Sequence, residues 1–99
     1  MAGFVQVIQY KTSKFDEMQK VLDKWREQTE GKRTAARVMS CRDRDNPGQF
    51  FTVAEFPSYE AAMKNNDLPE TQQYSAEMMS YADGAPTFYN LDVERVEQD

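Results

Sequence analysis

A chain of 99 residues is enough for one domain with a small core, and 29% charged with 12% aromatic residues is the make-up of an ordinary soluble globular domain. Seventeen acidic against 12 basic residues leave a net charge of −5, which repels phosphate backbones and argues against a nucleic-acid partner. There is no histidine and only one cysteine, Cys41, so a Ser-His-Asp triad, a Cys-His pair, a histidine-ligated haem and an internal disulfide are excluded, and a metal site would have one thiol and carboxylates to work with.

No apolar run approaches the roughly 20 residues that a membrane helix needs. The opening MAGFVQVIQYK passes directly into a strand pattern, unlike a basic leader. A reducing cytoplasm is the expected compartment. Residues 4–10, FVQVIQY, are β-branched and aromatic with no breaker, which predicts a strand. Phe4, Ile8 and Tyr10 fall on one face and Val5 and Val7 on the other, so both faces need cover. Thr12 or Ser13 is placed to cap a helix over about 13–30, and Ser13 with Asp16 has capping-box spacing. Phe15, Met18, Val21, Leu22 and Trp25 recur at helical spacing against Glu17, Lys20, Lys24 and Glu27, and Gly31 suits a left-handed C-terminal cap.

Residues 34–43 read as a second strand, with Arg37, Met39 and Cys41 on one face. Asp43 to Gly48 has turn composition, and 49–56, QFFTVAEF, is a third strand completing a hairpin. Phe50, Ala54 and Phe56 share one side and Phe51 and Val53 the other. Ser58 can cap a short helix from Tyr59 to about Asn65, which Asn65-Asn66-Asp67 interrupts. Asp67 and Glu70 again have capping-box spacing, and Pro69 suits the first turn of a restarted helix. Tyr74, Met78 and Tyr81 form a stripe along it. Residues 87–96 alternate as a fourth strand with one wetter face, and Glu97 onward should fray.

The order β-α-β-β-α-β is the ferredoxin-like pattern, an α+β fold. It predicts a four-stranded antiparallel sheet with two helices on one face, in a single domain spanning residues 1–99 with an ordered core of about 4–96. The second sheet face carries large apolar residues, and a homodimer packed sheet against sheet would cover it.

These residues resemble the dimeric α+β barrel superfamily, and within it the antibiotic-biosynthesis-monooxygenase-like (ABM) domains. The resemblance runs from Val5 to about Val96 and is sharpest in FFTVAEFPSYEAAMKNNDLPETQQYSAEM. There an aromatic strand ends in Glu55, followed by Tyr59, the Glu60-Ala61 pair and the broken helix at Asn65–Pro69. It implies the dimeric α+β barrel and, among the superfamily's activities, oxygenation of a small phenol, quinol or anthrone by O2 with no cofactor and no metal. The superfamily also holds haem degraders, isomerases and proteins with no known activity. The sequence departs from it in two places. Many members carry a histidine near the helix break, where this chain has Asn65 and Asn66, and the haem-ligating histidine of the degraders is absent. The single tryptophan, Trp25, stands on the first helix instead of the second.

The oxygenases of polycyclic phenols to which the chain is similar use Asn, Trp, Tyr and Arg in a pocket between sheet and helices. Carried onto this sequence, Asn65 or Asn66 would hold an enolate oxygen, Arg37 would favour the anion, and Tyr74 would relay protons. Tyr59, Met78, Tyr81 and Trp25 would bind the small apolar or aromatic ligand. Each has a plainer reading. Asn65-Asn66 suits a helix break, Tyr74 and Tyr81 a core with hydroxyls at its rim, Trp25 the core, and Arg37 an ion pair on the surface or in an interface. Glu55 would be a base if buried, and an arginine partner if not. Met63, Met78 and Met79 would line an adaptable pocket or fill gaps. The alternatives to the oxygenase are a non-catalytic dimeric ligand-binding or structural module and an isomerase or cyclase. An open cavity favours chemistry or binding, and a filled core favours structure.

Overall fold

The computed structural model describes residues 3–98. Strand β1 (Phe4–Lys11) lies inside a four-stranded antiparallel sheet between β3 (Gln49–Phe56) and β4 (Thr87–Asp92), with β2 (Arg37–Arg42) beyond β3. Helix α1 (Phe15–Gln28) follows β1, and α2 (Tyr59–Asp67) and α3 (Pro69–Tyr81) follow β3. This is the expected ferredoxin-like α+β architecture, with its second helix in two pieces.

Strand pairing sets the two faces. Phe4, Gln6, Ile8 and Tyr10 stand opposite Phe56, Ala54, Thr52 and Phe50, and this row lies beneath the helices. Val5 and Val7 stand opposite Glu55 and Val53, and also beside Leu91 and Tyr89 of β4. Because side chains alternate along a strand, this second row lies on the face the helices do not cover. There Leu91 remains 46% and Tyr89 44% exposed.

The core beneath the helices has two centres. Phe4, Phe56 and Ala62 form one, with Ala35, Ala54, Ala61 and Met63 packed around them. Tyr10, Met18 and Phe50 form the other, flanked by Ile8, Phe15, Met78 and Tyr81. Phe15 stacks on Phe50 with ring centroids 4.4 Å apart. Trp25 is buried, as its in-register position predicts, and its Nε1 donates to Thr71 Oγ1 at 2.9 Å, tying α1 to α3.

Several boundaries differ from the sequence expectation, each for a local reason. Asn65, Asn66 and Asp67 do not interrupt α2; they are helical, and the break is the single residue Leu68. Leu68 precedes Pro69, whose ring disfavours helical backbone in the residue before it, and its ψ is accordingly 132°. Asp67 therefore stays inside α2, and the Asp67–Glu70 capping box does not form. Pro69 at the first helical position starts α3 without a side-chain cap. The Ser13–Asp16 box is also absent. Lys14 occupies the N-cap of α1, while Thr12 Oγ1 accepts from Lys14 N–H and donates to the Tyr81 carbonyl at 2.7 Å.

Ser58 caps α2 as expected, accepting from Ala61 N–H at 3.1 Å. Gly31 is left-handed at φ 80°, but it stands in the turn beyond the C-cap, Thr29. Strand β2 is shorter than the expected 34–43 because Thr34 bonds to α2 instead of a strand: its hydroxyl donates to the Ala61 carbonyl and its N–H to Asn65 Oδ1. Strand β4 ends at Asp92 instead of 96.

Candidate functional site

The inward faces of β1 and β3, one side of α3 and the turn after it enclose a partly open cavity of about 60 Å³. Its apolar wall is Ile8, Met18, Met78, Met79, Ala82, Pro86 and Phe88. Its polar groups are all hydroxyls, from Tyr10, Thr52, Tyr74 and Ser75. Among the described residues, no Asp, Glu, Lys or Arg lines it.

Each hydroxyl is placed by its element. Tyr10 and Thr52 come from neighbouring strands at inward register positions, since Tyr10 pairs with Phe50 and Ile8 with Thr52. Thr52 Oγ1 donates to the Tyr10 phenol oxygen at 3.4 Å. Tyr74 and Met78 lie one helical turn apart on α3 and so face the cavity together. The Trp25 ring lies 5.3 Å from the Tyr74 ring and backs it on the α1 side.

Burial governs the charge state of the phenols. It pushes the Tyr74 phenol up to about 12, with Tyr10 nearby adding to the effect. Burial also raises Tyr10, against the Thr52 hydrogen bond that pulls it down. At neutral pH both are phenols and not phenolates. They are hydrogen-bond donors, and neither is a base.

Of the residues singled out by sequence, Tyr74, Met78 and Met79 line this cavity, and the others lie elsewhere. Asn65 is buried, with its side-chain oxygen accepting from Thr34 N–H at 3.4 Å. Asn66 is half-buried on the same helix. Arg37 projects from the uncovered sheet face, where its Nε donates to Glu55 Oε2 at 2.6 Å. That pair also answers the question about Glu55, which is an ion-pair partner. Tyr59 is exposed and meets the Phe4 ring edge-on at 5.4 Å. Tyr81 lines a separate, open groove between α1 and α3 with Glu17, Lys20, Lys24 and Glu77. Met79 lines the cavity and Met63 packs on the Phe4–Phe56 centre.

Tyr10 and Thr52 were not among the residues expected at a site. The available signal was Thr52 itself, a hydroxyl between Phe50 and Ala54 at a core-facing strand position, where apolar residues are the rule.

The sequence matches no protein-family model and no curated protein. Solved structures do share its shape. SnoaB, a cofactor-independent oxygenase from Streptomyces nogalater, superposes with a TM-score of 0.82 at 10% identity, covering 100% of both chains. A conserved protein from Methanosarcina mazei Go1 gives 0.80 at 11% identity over 93% of each chain. A protein described as a candidate antibiotic biosynthesis monooxygenase from Caulobacter crescentus CB15 gives 0.77 at 18% identity, covering 95% of this chain and 92% of the other. The fold is the ABM-like fold. At these identities the likeness concerns the path of the ABM-like backbone and says nothing of the substrate.

Proposed function

We propose that the protein is a cofactor-independent, monooxygenase-like enzyme that acts on a small aromatic phenol, quinol or anthrone with O2. The observation that carries this reading is the cavity, with two neutral phenols and the hydroxyls of Thr52 and Ser75 set among apolar side chains on an ABM-like fold. Such a site binds an aromatic ring, excludes bulk water and aims donors at the oxygen where negative charge develops.

In this reading the substrate loses a proton from its activated carbon or hydroxyl, and the resulting carbanion–enolate passes electrons to O2. For an anthrone, a C–O bond forms at the CH2 carbon. One oxygen atom stays as the new carbonyl, and the other leaves as water with the two hydrogens. With no carboxylate or amine in the wall, the first proton goes to water at the open mouth. Tyr74 then stabilises the enolate by donating to it. Asn65, Asn66 and Arg37 lie outside this cavity and would take that role only if the substrate bound elsewhere.

Oxygen uptake with a panel of anthrones and quinols tests the reading. Tyr74→Phe is expected to lower kcat/KM by about 100-fold, whereas Asn66→Ala leaves it near the wild-type value. Uptake that survives Tyr74→Phe and is lost in Asn65→Ala or Asn66→Ala would move the site to the helix break.

The small volume favours a second reading. About 60 Å³ is less than half of the roughly 150 Å³ that holds benzene in an engineered cavity, so a ring enters only as Met78 and Met79 swing aside. A non-catalytic binding or structural module, or an isomerase or cyclase, would show ligand binding or turnover with no oxygen uptake.

The protein is further proposed to be a homodimer through the uncovered sheet face, where Val5, Val7, Phe51, Val53 and Leu91 form a continuous apolar patch. Val53→Lys is expected to convert a dimer to a monomer in sedimentation; a wild-type chain that is already monomeric overturns the assembly. A reducing compartment such as the cytoplasm suits the exposed free thiol of Cys41. Among the described residues, no helix is long and apolar enough to cross a membrane.

A further inference from the structure

We propose that Tyr10, oriented by Thr52, is a second ligand-binding donor that works with Tyr74, and that this charge-free hydroxyl pair makes the cavity select an uncharged aromatic ligand bearing a carbonyl-type acceptor and reject carboxylates. The proposal deepens the reading of the same cavity, but it concerns what is bound and not what is done to it.

Three observations carry it. First, Tyr10 and Tyr74 both line the cavity and approach it from opposite walls, one from the sheet and one from α3. Second, Thr52 donates to the Tyr10 phenol oxygen, which leaves the phenol's own proton free to be donated. Third, among the described residues the cavity wall holds neither a cation to neutralise an anion nor a carboxylate to accept a proton.

A carboxylate entering this wall would give up its hydration for hydroxyls alone, and an unpaired buried charge is far costlier than a neutral carbonyl that accepts one or two hydrogen bonds. A neutral ketone loses less solvation and gains both donors. The same donors bind more strongly to the oxygen as it becomes an enolate, so the pair would favour a transition state over the ground state if the oxygenase reading holds.

The two proton positions are robust to ordinary pH. Burial raises both phenols, so neither becomes a phenolate that would repel an enolate at neutral pH. The titratable and charged groups around the pair are few. Cys41 of β2 acts weakly on Tyr10, and the Lys14 ammonium lies over the ring of Tyr81, outside the cavity.

Three one-ring probes of nearly the same shape test the proposal: acetophenone, with a neutral acceptor; benzoate, with a charge; and α-methylstyrene, with neither. Binding is read from the fluorescence of Trp25, the only tryptophan, whose ring lies against Tyr74. Acetophenone is expected to bind at least tenfold more tightly than benzoate. Tyr10→Phe is expected to weaken acetophenone about fivefold and to leave α-methylstyrene unchanged, and Thr52→Val to produce a smaller loss in the same direction. A melting curve of each variant shows whether it is folded.

Benzoate binding as tightly as acetophenone, an unchanged acetophenone affinity in folded Tyr10→Phe, or the absence of any response to all three probes overturns the proposal. Its fate is separate from that of the oxygenase reading. Selective binding without oxygen uptake from anthrones and quinols would retain the donor pair and remove the oxygenase. Oxygen uptake with no preference for neutral probes would do the reverse.

Discussion

Beneath α2, Phe4, Phe56 and Ala62 close on one another with three further alanines and Met63 around them. Beneath α3, Tyr10, Met18 and Phe50 meet Met78 and Tyr81 and leave a cavity of about 60 Å³. Both centres belong to one sheet face, and they differ in the side chains that the helices bring down. On α2 the residue at this centre is small, and Ala62 is fully buried against Phe4 and Phe56. On α3, Met78 and Met79 line a space that stays open, and Tyr74 and Ser75 add hydroxyl-bearing side chains to its wall. Beside the first centre the polar side chains Thr34 and Asn65 are bonded to the fold, whereas the open centre has several hydroxyls lining a cavity. The close-packed centre and the candidate site therefore lie at different ends of one sheet face.

The largest test of this division is truncation at each centre. Phe56→Ala removes a ring that is 1% exposed from close packing and is expected to cost about 4 kcal/mol in urea unfolding. Met18→Ala, at a residue just as buried but already facing a void, is expected to cost about 2 kcal/mol, at the low end for such changes. Equal losses would mean that the open centre is filled in solution.

A smaller effect follows from the phenol at the open centre. The unfolded chain's tyrosine ionises near pH 10, and the folded Tyr74 near 12. Below pH 10 both states are neutral and the stability that Tyr74 contributes is fully present. Between pH 10 and 12 the unfolded chain gives up its proton first, so stability falls as pH rises, by on the order of 2 kcal/mol. Chemical unfolding of Tyr74→Phe across that window should show a shallower fall. An identical slope would show that Tyr74 is solvated.

The smallest expected effect sharpens the distinction between stability and binding. Thr52→Val keeps the shape and removes one long hydrogen bond to Tyr10 at 3.4 Å. It should change unfolding free energy by less than about 0.5 kcal/mol while weakening acetophenone binding. A large loss of stability would make Thr52 a structural residue instead.

Alternation and periodicity are local properties, and they determined much of this protein. Strand β3 follows from QFFTVAEF without error, and the opposed faces of β1 follow from Phe4, Ile8 and Tyr10 against Val5 and Val7. Met18, Val21 and Trp25 are buried where helical spacing put them, and the absence of histidine had already removed whole classes of chemistry. The end of α2 was misplaced because Asn65-Asn66-Asp67 has the composition of a break, whereas the actual break is imposed one residue later by the ring of Pro69 on Leu68. The site was only half legible for a different reason. Tyr74 and Met78 could be picked out from one helical stripe, but Tyr10 and Thr52 are separated by 42 residues and meet Tyr74 only because β1 and β3 pair in one particular register under α3. Conversely, Asn65 and Arg37 have the right chemistry, but the fold engages one with Thr34 and the other with Glu55, away from the cavity. The residue types and the faces they occupy come from short-range spacing; which hydroxyls share a cavity is decided by long-range pairing and by the distance at which each helix rests on the sheet.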